Sequence, residues 1–219
     1  MVNKEVWIIL EQEKGKISRH SLELFSGGRK LAEKSSSILA GIGWGTNLET
    51  LIQSAKDFGA KKFYLGKNIT EDYPQVESIA YNLGKQILHF SPFLVLFGAN
   101  PKSQNLALHI SSNLFLPFLS NCESIEIKSD GQIIATRPTY NGNFSTEVAS
   151  KGEKTTLASV IPRKWNPEPA RSPVSSCELI EFVQLSEEPI FSSYEILERI
   201  KIDPQDMDFS KKDKLGKNL

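Results

Sequence analysis

The sequence predicts an α/β protein with a mainly parallel sheet, helices on both faces of that sheet, and antiparallel strands that extend it near the C-terminal part. Short apolar blocks alternate with amphipathic segments over the first two-thirds of the chain, which is the pattern of successive β-α units. The apolar blocks are continuous, as expected for strands that are buried on both faces. After Pro117 the pattern changes to alternating strands and tight turns.

Four β-α units follow one another in order. The apolar blocks predict strands at residues 6–10, 38–42, 62–65 and 93–97. Apolar side chains at three-to-four spacing predict helices after these strands, at residues 18–34, 47–58, 73–90 and 103–114. Gly27 and Gly28 weaken the first of these helices by about 1 kcal/mol each relative to alanine. The block at 93–97 is the most hydrophobic, so we expect it to be the central strand.

The β-rich segments after Pro117 have a different pattern. Residues 124–128 alternate between polar and apolar side chains, and an Asp-Gly turn signal separates them from residues 132–135. Residues 155–161 form another β-rich run that Pro162 ends. We interpret these segments as antiparallel strands that extend the main sheet.

Prolines divide the last part of the chain from this domain. Pro167, Pro169 and Pro173 predict an extended connector. Residues 178–185 then predict one further strand, and the polar end of the chain is expected to fray. We therefore predict an α/β domain at residues 1–165, followed at residues 166–219 by the connector, the further strand and a polar tail.

Charge and composition narrow the classes of function. The chain has 26 Lys+Arg and 26 Asp+Glu, so it lacks the excess positive charge that binds nucleic acid or an anionic membrane. No apolar run approaches the roughly 20 residues that a membrane span needs. The first residues lead directly into a strand without a signal-peptide layout. We therefore expect a cytoplasmic protein with no nucleic-acid partner and no membrane span.

Five short segments occur in an order that is typical of one family. They are an apolar strand ending in glutamate (8–11), a helix running from Ser-Leu-Glu to Leu-Ala (21–32), a Gly-Ala step (58–63), a strand ending in Gly-Ala (95–99) and Arg-Pro-Thr-Tyr-Asn-Gly-Asn (137–143). This ordered set resembles the amino-terminal domain of electron-transfer flavoprotein alpha subunits. The resemblance covers about residues 5 to 165.

The resemblance implies a nucleotide-binding-like fold of the adenine nucleotide alpha hydrolase kind, in a scaffold or electron-carrier subunit and not an enzyme. In the family this domain pairs with a beta subunit, and the complex passes electrons from dehydrogenases to an acceptor through FAD. The family holds FAD in a second domain with Gly-Gly-Arg-Gly and Gly-Ile-Ser-Gly segments, and neither follows Asp208 here. We therefore expect FAD only in the full complex, and no catalytic, metal or cofactor-binding residue in this chain alone. Three alternatives stay open for the FAD domain: it was lost, it was split off onto a separate FAD-domain chain, or it was not cloned with this sequence.

Two glycine-containing segments leave a second function open, that of a regulatory domain binding a small molecule or an adenine nucleotide. Gly41, Gly43 and Gly45 stand between a predicted strand and a predicted helix, where a loop can cradle phosphate. The same spacing also suits a flexible strand-to-helix turn. Gly98 and Ser103 lie at the carboxyl end of the predicted central strand, which is the usual ligand position in such sheets.

The Arg-Pro-Thr-Tyr segment is the candidate partner interface. Asn141, Gly142 and Asn143 favour a turn, and Arg137 and Tyr140 stand beside them. The segment suits a bend between two strands, and such bends at sheet ends are also where partners dock. Both interpretations can hold together.

The remaining candidates indicate no chemistry. We interpret five residues as core or surface positions because none has metal spacing or an activating neighbour: His20, His89, His109, Cys122 and Cys177. Residues 11–13 (Glu-Gln-Glu) are predicted to be a solvated strand end. Among the tryptophans, Trp7 is predicted to lie in the core, whereas Trp44 and Trp165 lie near turns and are candidate partner anchors.

Overall fold

A computed structural model describes residues 3–13, 16–45, 47–67 and 76–183. Within these ranges the strands are β1 (Asn3–Ile9), β2 (Gln12–Glu13), β3 (Lys16–Ile17), β4 (Ile38–Trp44), β5 (Lys62–Lys67), β6 (Pro92–Gly98), β7 (Phe118–Cys122), β8 (Ser124–Ile127), β9 (Ile133–Thr139), β10 (Phe144–Ser150), β11 (Thr156–Val160) and β12 (Glu178–Val183). The helices are α1 (Arg19–Lys34), α2 (Leu48–Asp57), α3 (Val76–Phe90) and α4 (Pro101–Leu114). None of these helices is long and apolar enough to cross a membrane.

Seven of the described strands form one parallel sheet in the order β12-β5-β4-β1-β6-β11-β7. Its two faces bury separate apolar clusters, and β1 supplies both because its side chains alternate. Val6, Ile8 and Leu10 face α1, α2 and the small sheet described below, whereas Trp7 and Ile9 face α3 and α4. The predicted α/β class with helices on both faces is confirmed. The prediction of Trp7 as a core residue is also confirmed, since its side chain is fully buried.

The middle strand of the sheet is β1, so the prediction that residues 93–97 form the central strand was wrong by one position. β6 lies directly beside β1 and pairs with β11 on its other side. Both strands are interior and fully flanked, and hydrophobicity alone does not distinguish two such neighbours.

The antiparallel strands are not an extension of the main sheet. Within the described part of the chain, β10, β9 and β8 form a separate three-stranded sheet. Burial alternates along β8, where Ile125 and Ile127 face the core and their neighbours are exposed. This alternation indicates that the small sheet packs one face on the core and exposes the other to solvent. β11 is instead buried at every residue and pairs in parallel with both β6 and β7, which corrects its assignment as an antiparallel strand.

Close packing explains the two glycines that weaken α1. A Cβ atom at Gly27 would overlap the ring of Trp165, and one at Gly28 would lie 2.5 Å from Ile8 Cδ1. Trp165 packs against the core that α1 covers. Its interpretation as a partner anchor was therefore wrong, because its ring is seated on its own chain. Trp44 is half-buried against the cluster on the opposite face of the sheet.

The predicted connector crosses the outside of the domain as a strap that we define as residues 161–177. The Glu168 carbonyl accepts hydrogen bonds from Ser26 Oγ at 3.3 Å and from Arg29 Nη2 at 3.1 Å. Further along, the Ala170 N–H donates to the Asp57 carbonyl at 2.8 Å. The strap carries the chain from β11 to the opposite edge of the sheet, where β12 pairs with β5.

Some predictions lie outside the described residues. They are the start of the third helix at residues 73–75, the last two residues of the strand predicted at 178–185, and the polar tail.

Candidate functional site

The strand order reverses between β1 and β6, and a crevice at this point is the usual ligand position in parallel α/β sheets. The chain leaves β1 through Leu10 and Glu11, and it leaves β6 through Gly98 and Asn100. Asn100 is the N-cap of α4, and its Oδ1 accepts a hydrogen bond from the Ser103 N–H at 3.0 Å. Pro101 suits the first turn because its missing N–H costs nothing there.

The Glu11 carboxylate fills this crevice. Asn100 Nδ2 donates to both carboxylate oxygens at 2.7 Å, and Ser103 Oγ donates to Oε1. The Glu11 backbone N–H donates to Ser21 Oγ at 2.9 Å, which ties the end of β1 to α1. Glu11 was predicted to be part of a solvated strand end, and this is wrong for its carboxylate. The connection was missed because Glu11 and Asn100 are 89 residues apart.

Gly98 allows two side chains to approach β6 at this edge. A Cβ atom there would lie 2.8 Å from Glu11 Oε1 and 2.9 Å from His20 Nδ1. His20 Nε2 is buried and has no hydrogen-bond partner among the described residues. Gly98 and Ser103, both named for nucleotide binding, therefore lie at the crevice together with Glu11 and His20.

The other glycines named for nucleotide binding lie elsewhere. Gly41 and Gly43 are inside β4, where a Cβ atom would lie 3.0 Å from Phe63 Cδ2 and from Leu51 Cδ1, respectively. Gly45 follows the strand with a φ of +102°. The structure thus places the first two glycines under the side chains of the core, and only Gly45 is in a turn.

The candidate partner segment forms the tip of the β9–β10 hairpin. Tyr140, Asn141 and Gly142 have φ values of +50°, +55° and +86°, and the Asn143 N–H donates to the Tyr140 carbonyl at 3.2 Å. The side chain of Tyr140 is 80% exposed and that of Phe144 is 65% exposed. Their rings contact edge to face with centroids 5.6 Å apart. Phe144 directly follows this turn in the sequence, yet it was missed because an aromatic residue at the start of a strand does not by itself show that its ring is exposed.

Arg137 lies below the hairpin tip, apart from the exposed rings. Its Nη1 donates to Ser120 Oγ at 3.3 Å, while its buried Nε has no hydrogen-bond partner within the described ranges. The five residues named for a partner interface therefore lie within residues 137–143 of one hairpin, with Arg137 in β9 opposite Thr146 and the other four in the turn at its tip.

A second buried carboxylate lies at the amino ends of the strands, which is the end of the sheet opposite to the crevice. Glu5 accepts hydrogen bonds from Trp7 Nε1 at 2.7 Å, Tyr64 Oη at 2.8 Å and Lys62 Nζ at 2.9 Å. The hydrogen bond to Glu5 raises the pKa of the Lys62 ammonium. Burial, together with this carboxylate, raises the pKa of the Tyr64 hydroxyl. Three donors on one carboxylate indicate a structural tie between β1 and β5.

The cysteines and the remaining histidines form no reactive group in the described part of the chain. Burial raises the pKa of the Cys122 thiol to about 12, and it also raises that of Cys177. Neither thiol is therefore activated, since reactive cysteines have lowered pKa values. His89 stacks edge to face on Phe90. No group of three or more potential metal-ligating side chains occurs among the residues that the structure describes.

Comparison with known proteins gives a consistent family. The chain is 27% identical over 159 residues to the electron transfer flavoprotein subunit alpha of Thermoanaerobacterium thermosaccharolyticum, which covers 73% of this chain and 48% of that protein. It is 30% identical over 172 residues to protein FixB of Bradyrhizobium diazoefficiens, covering 77% of this chain and 46% of FixB. It is 24% identical over 212 residues to the acryloyl-CoA reductase electron transfer subunit beta of Anaerotignum propionicum, covering 85% of this chain and 58% of that protein.

The chain spans about half the length of the curated relatives that it matches first. The family model described as the electron transfer flavoprotein domain matches residues 6–184, which is well over half of the chain. This match contains the hairpin, the strap and the seven-stranded sheet apart from the first three residues of β1. The chain therefore belongs to the electron transfer flavoprotein domain family.

Proposed function

We propose that this chain is the scaffold part of an electron-transfer flavoprotein of the alpha-subunit type and pairs with a beta subunit in the cytoplasm. In this proposal the pair passes electrons from dehydrogenases to an acceptor, and the chain itself catalyses no reaction. Relatives named as an electron transfer flavoprotein subunit alpha and as an electron transfer subunit support this role. We also propose that the α/β domain ends at residue 165 and that residues 166–219 form a separate C-terminal part.

The observation that carries the partner interface is the hairpin tip that extends past the core. Phe144, Thr146, Val148 and Ser150 share one face of β10 because strand side chains alternate. Ser150 is buried, Val148 packs against the core, and Thr146 is half-buried, whereas Phe144 is exposed. The face that packs on the domain thus continues beyond it into solvent.

An exposed aromatic pair at the end of such a face is suited to a protein partner. Tyrosine and phenylalanine bury large areas at a small cost in side-chain entropy, and aromatic residues are enriched at the centres of interfaces. Tyr140 and Phe144 already hold each other edge to face, so little further ordering is needed when a partner covers them. We propose the beta subunit as that partner.

The described residues do not fit FAD. A flavin dinucleotide brings a pyrophosphate, and the helix terminus that would receive it in this fold already holds the Glu11 carboxylate. We therefore propose that FAD binds in the full complex outside the described residues. The same contact counts against the alternative function of an adenine-nucleotide-binding regulatory domain.

Affinity capture from the native cell extract tests the proposal. The tagged chain should recover a beta-subunit-like protein, identified by mass, with flavin absorbance in the eluate. The double variant Tyr140→Ser/Phe144→Ser should lose that protein. The matched control Leu88→Ser/Leu108→Ser changes two other exposed apolar side chains, 61% and 57% exposed, and should retain it.

Two results would contradict the proposal. Capture of no beta-subunit-like protein by the unchanged chain would remove the electron-transfer role. Equal recovery by the hairpin double variant would leave the pairing in place and remove the hairpin as its interface.

A further inference from the structure

The crevice between β1 and β6 has the features of an anion site. Ser103 N–H, Ser103 Oγ and Asn100 Nδ2 all lie in the first turn of α4, a helix of 14 residues. Helix N-termini attract anions because their N–H groups and dipole point outward. In parallel α/β sheets, ligand phosphates take this position at the point where strand order reverses.

The anion at this position belongs to the chain itself. The Glu11 carboxylate accepts from Asn100 Nδ2 at both oxygens and from Ser103 Oγ at Oε1. The Ser103 N–H is taken by Asn100 Oδ1. The donors with which α4 would bind a phosphate are therefore already in use.

The surrounding residues accommodate this carboxylate. Any side chain at residue 98 would collide with Glu11 Oε1 and with His20, since a Cβ atom would lie within 3 Å of both. The His20 ring closes the same space and keeps a buried Nε2 with no hydrogen-bond partner in the described part of the chain. The glycine and the histidine thus line the space that the carboxylate occupies.

We propose that Glu11 is a tethered anion that occupies the phosphate position of the crevice and excludes phosphate-bearing ligands from this domain. A phosphate that entered would meet a like charge and would have to displace three hydrogen bonds from Asn100 and Ser103. Removal of the carboxylate would leave an unfilled site for inorganic phosphate or a phosphomonoester such as AMP, lined by Asn100, Ser103 and His20.

The test compares binding of inorganic phosphate and of AMP to the unchanged chain and to Glu11→Ala, with the amide N–H signal of Ser103 followed by NMR. The unchanged chain should show no shift at Ser103. Loss of the like charge and release of the donors should make phosphate binding to Glu11→Ala at least about tenfold tighter, with the shift at Ser103. Glu126→Ala, which removes an exposed carboxylate on β8, should behave as the unchanged chain.

The variant Glu11→Ser keeps the test decisive if Glu11→Ala does not fold. Its short side chain removes the charge and vacates the position of the carboxylate, so it should bind phosphate more tightly than the unchanged chain and shift the same Ser103 signal. Phosphate or AMP binding to the unchanged chain at Ser103 would overturn the inference. A folded Glu11→Ser or Glu11→Ala protein that binds neither ligand at Ser103 would overturn it as well.

Discussion

At the residue scale, Glu5 shows how a charge can be buried in this sheet. Its carboxylate is 1% exposed and receives donors from Trp7, Tyr64 and Lys62. Such a group is stable only while its donors remain, because an unpaired buried charge or donor has lost its water. Lys62 also pairs with Glu178, whose carboxylate lies 3.6 Å from Lys62 Nζ and is exposed to solvent.

The first prediction concerns the removal of this acceptor. Glu5→Ala should lower the free energy of unfolding by about 3–5 kcal/mol, because it leaves Lys62 and two other buried donors without their acceptor. Glu5→Gln keeps one acceptor oxygen and should cost less than Glu5→Ala. The control Glu178→Gln should change stability by at most about 1 kcal/mol, since exposed ion pairs contribute little. Urea unfolding of the three variants gives these values, and equal losses for Glu5→Ala and Glu178→Gln would contradict the account.

The second prediction separates the two thiols. Cys177 is half-buried in the strap, whereas Cys122 is fully buried and its pKa is raised to about 12. A disulfide reagent at neutral pH should therefore modify Cys177 well before Cys122, because the thiolate is the reactive form and must also be accessible. Cys177→Ala should remove the fast phase of the reaction and leave the slow one. A fast phase that persists in Cys177→Ala would show that β7 opens readily.

At the scale of elements, the contact between α1 and the strap depends on a glycine. Gly27→Ala should lower the free energy of unfolding by about 1–3 kcal/mol, since the added methyl group overlaps the Trp165 ring. Gly84→Ala in α3 is the matched control, because its Cβ would lie at an ordinary 3.5 Å from Leu114 Cδ1. That change should raise stability by about 0.5–1 kcal/mol through helix propensity.

The sign of the change in the free energy of unfolding of Gly27→Ala shows whether the strap packs on α1 as described. In a Trp165→Ala background, Gly27→Ala should lose most of its cost, since contacting residues are not additive. A Gly27→Ala protein as stable as Gly84→Ala would contradict the seating of Trp165 on α1.

Local sequence pattern predicts the elements well but not their partners. The apolar blocks at β1, β4, β5 and β6 were predicted because each is buried on both faces and reads as a continuous run. β11 is buried in the same way, yet it was predicted to be antiparallel because its sequence follows the hairpin. Strand direction in a sheet is set by the crossover that precedes it, and here that crossover is a small sheet instead of a helix.

At the scale of the whole molecule, the strand order explains a contact that the sequence pattern did not predict. The reversal between β1 and β6 brings Glu11 to Asn100 across 89 residues. Glu11 ends one of the family-typical segments and Asn100 lies in none of them, so the sequence pattern alone does not connect the two residues. Gly98 and Ser103 could be named from their place after an apolar strand, whereas the carboxylate that occupies the crevice could not.

The stability of the whole molecule at alkaline pH can also be tested. The folded chain raises the pKa values of Cys122, Tyr64 and Lys62 above their ordinary 9.0, 10.0 and 10.5. Above about pH 9 the unfolded chain therefore releases protons that the folded chain keeps, so the free energy of unfolding falls as pH rises. Each pH unit costs up to about 1.4 kcal/mol per such group.

Urea midpoints at about pH 8 and about pH 10 measure this decline. The decline should be smaller in Cys122→Ala, which removes the group with the lowest ordinary pKa. An unchanged midpoint across this range would show that these groups remain as accessible to solvent in the folded chain as in the unfolded one.

We propose that this domain is a scaffold that contacts a beta subunit through the β9–β10 hairpin. Amide hydrogen exchange of the purified chain, alone and with the beta-subunit-like protein, tests it most directly. We predict slower exchange at residues 137–145 in the complex and little change in the interior strand β6, which is already protected. A complex that forms without protection of the hairpin, or the absence of any complex, would contradict the account.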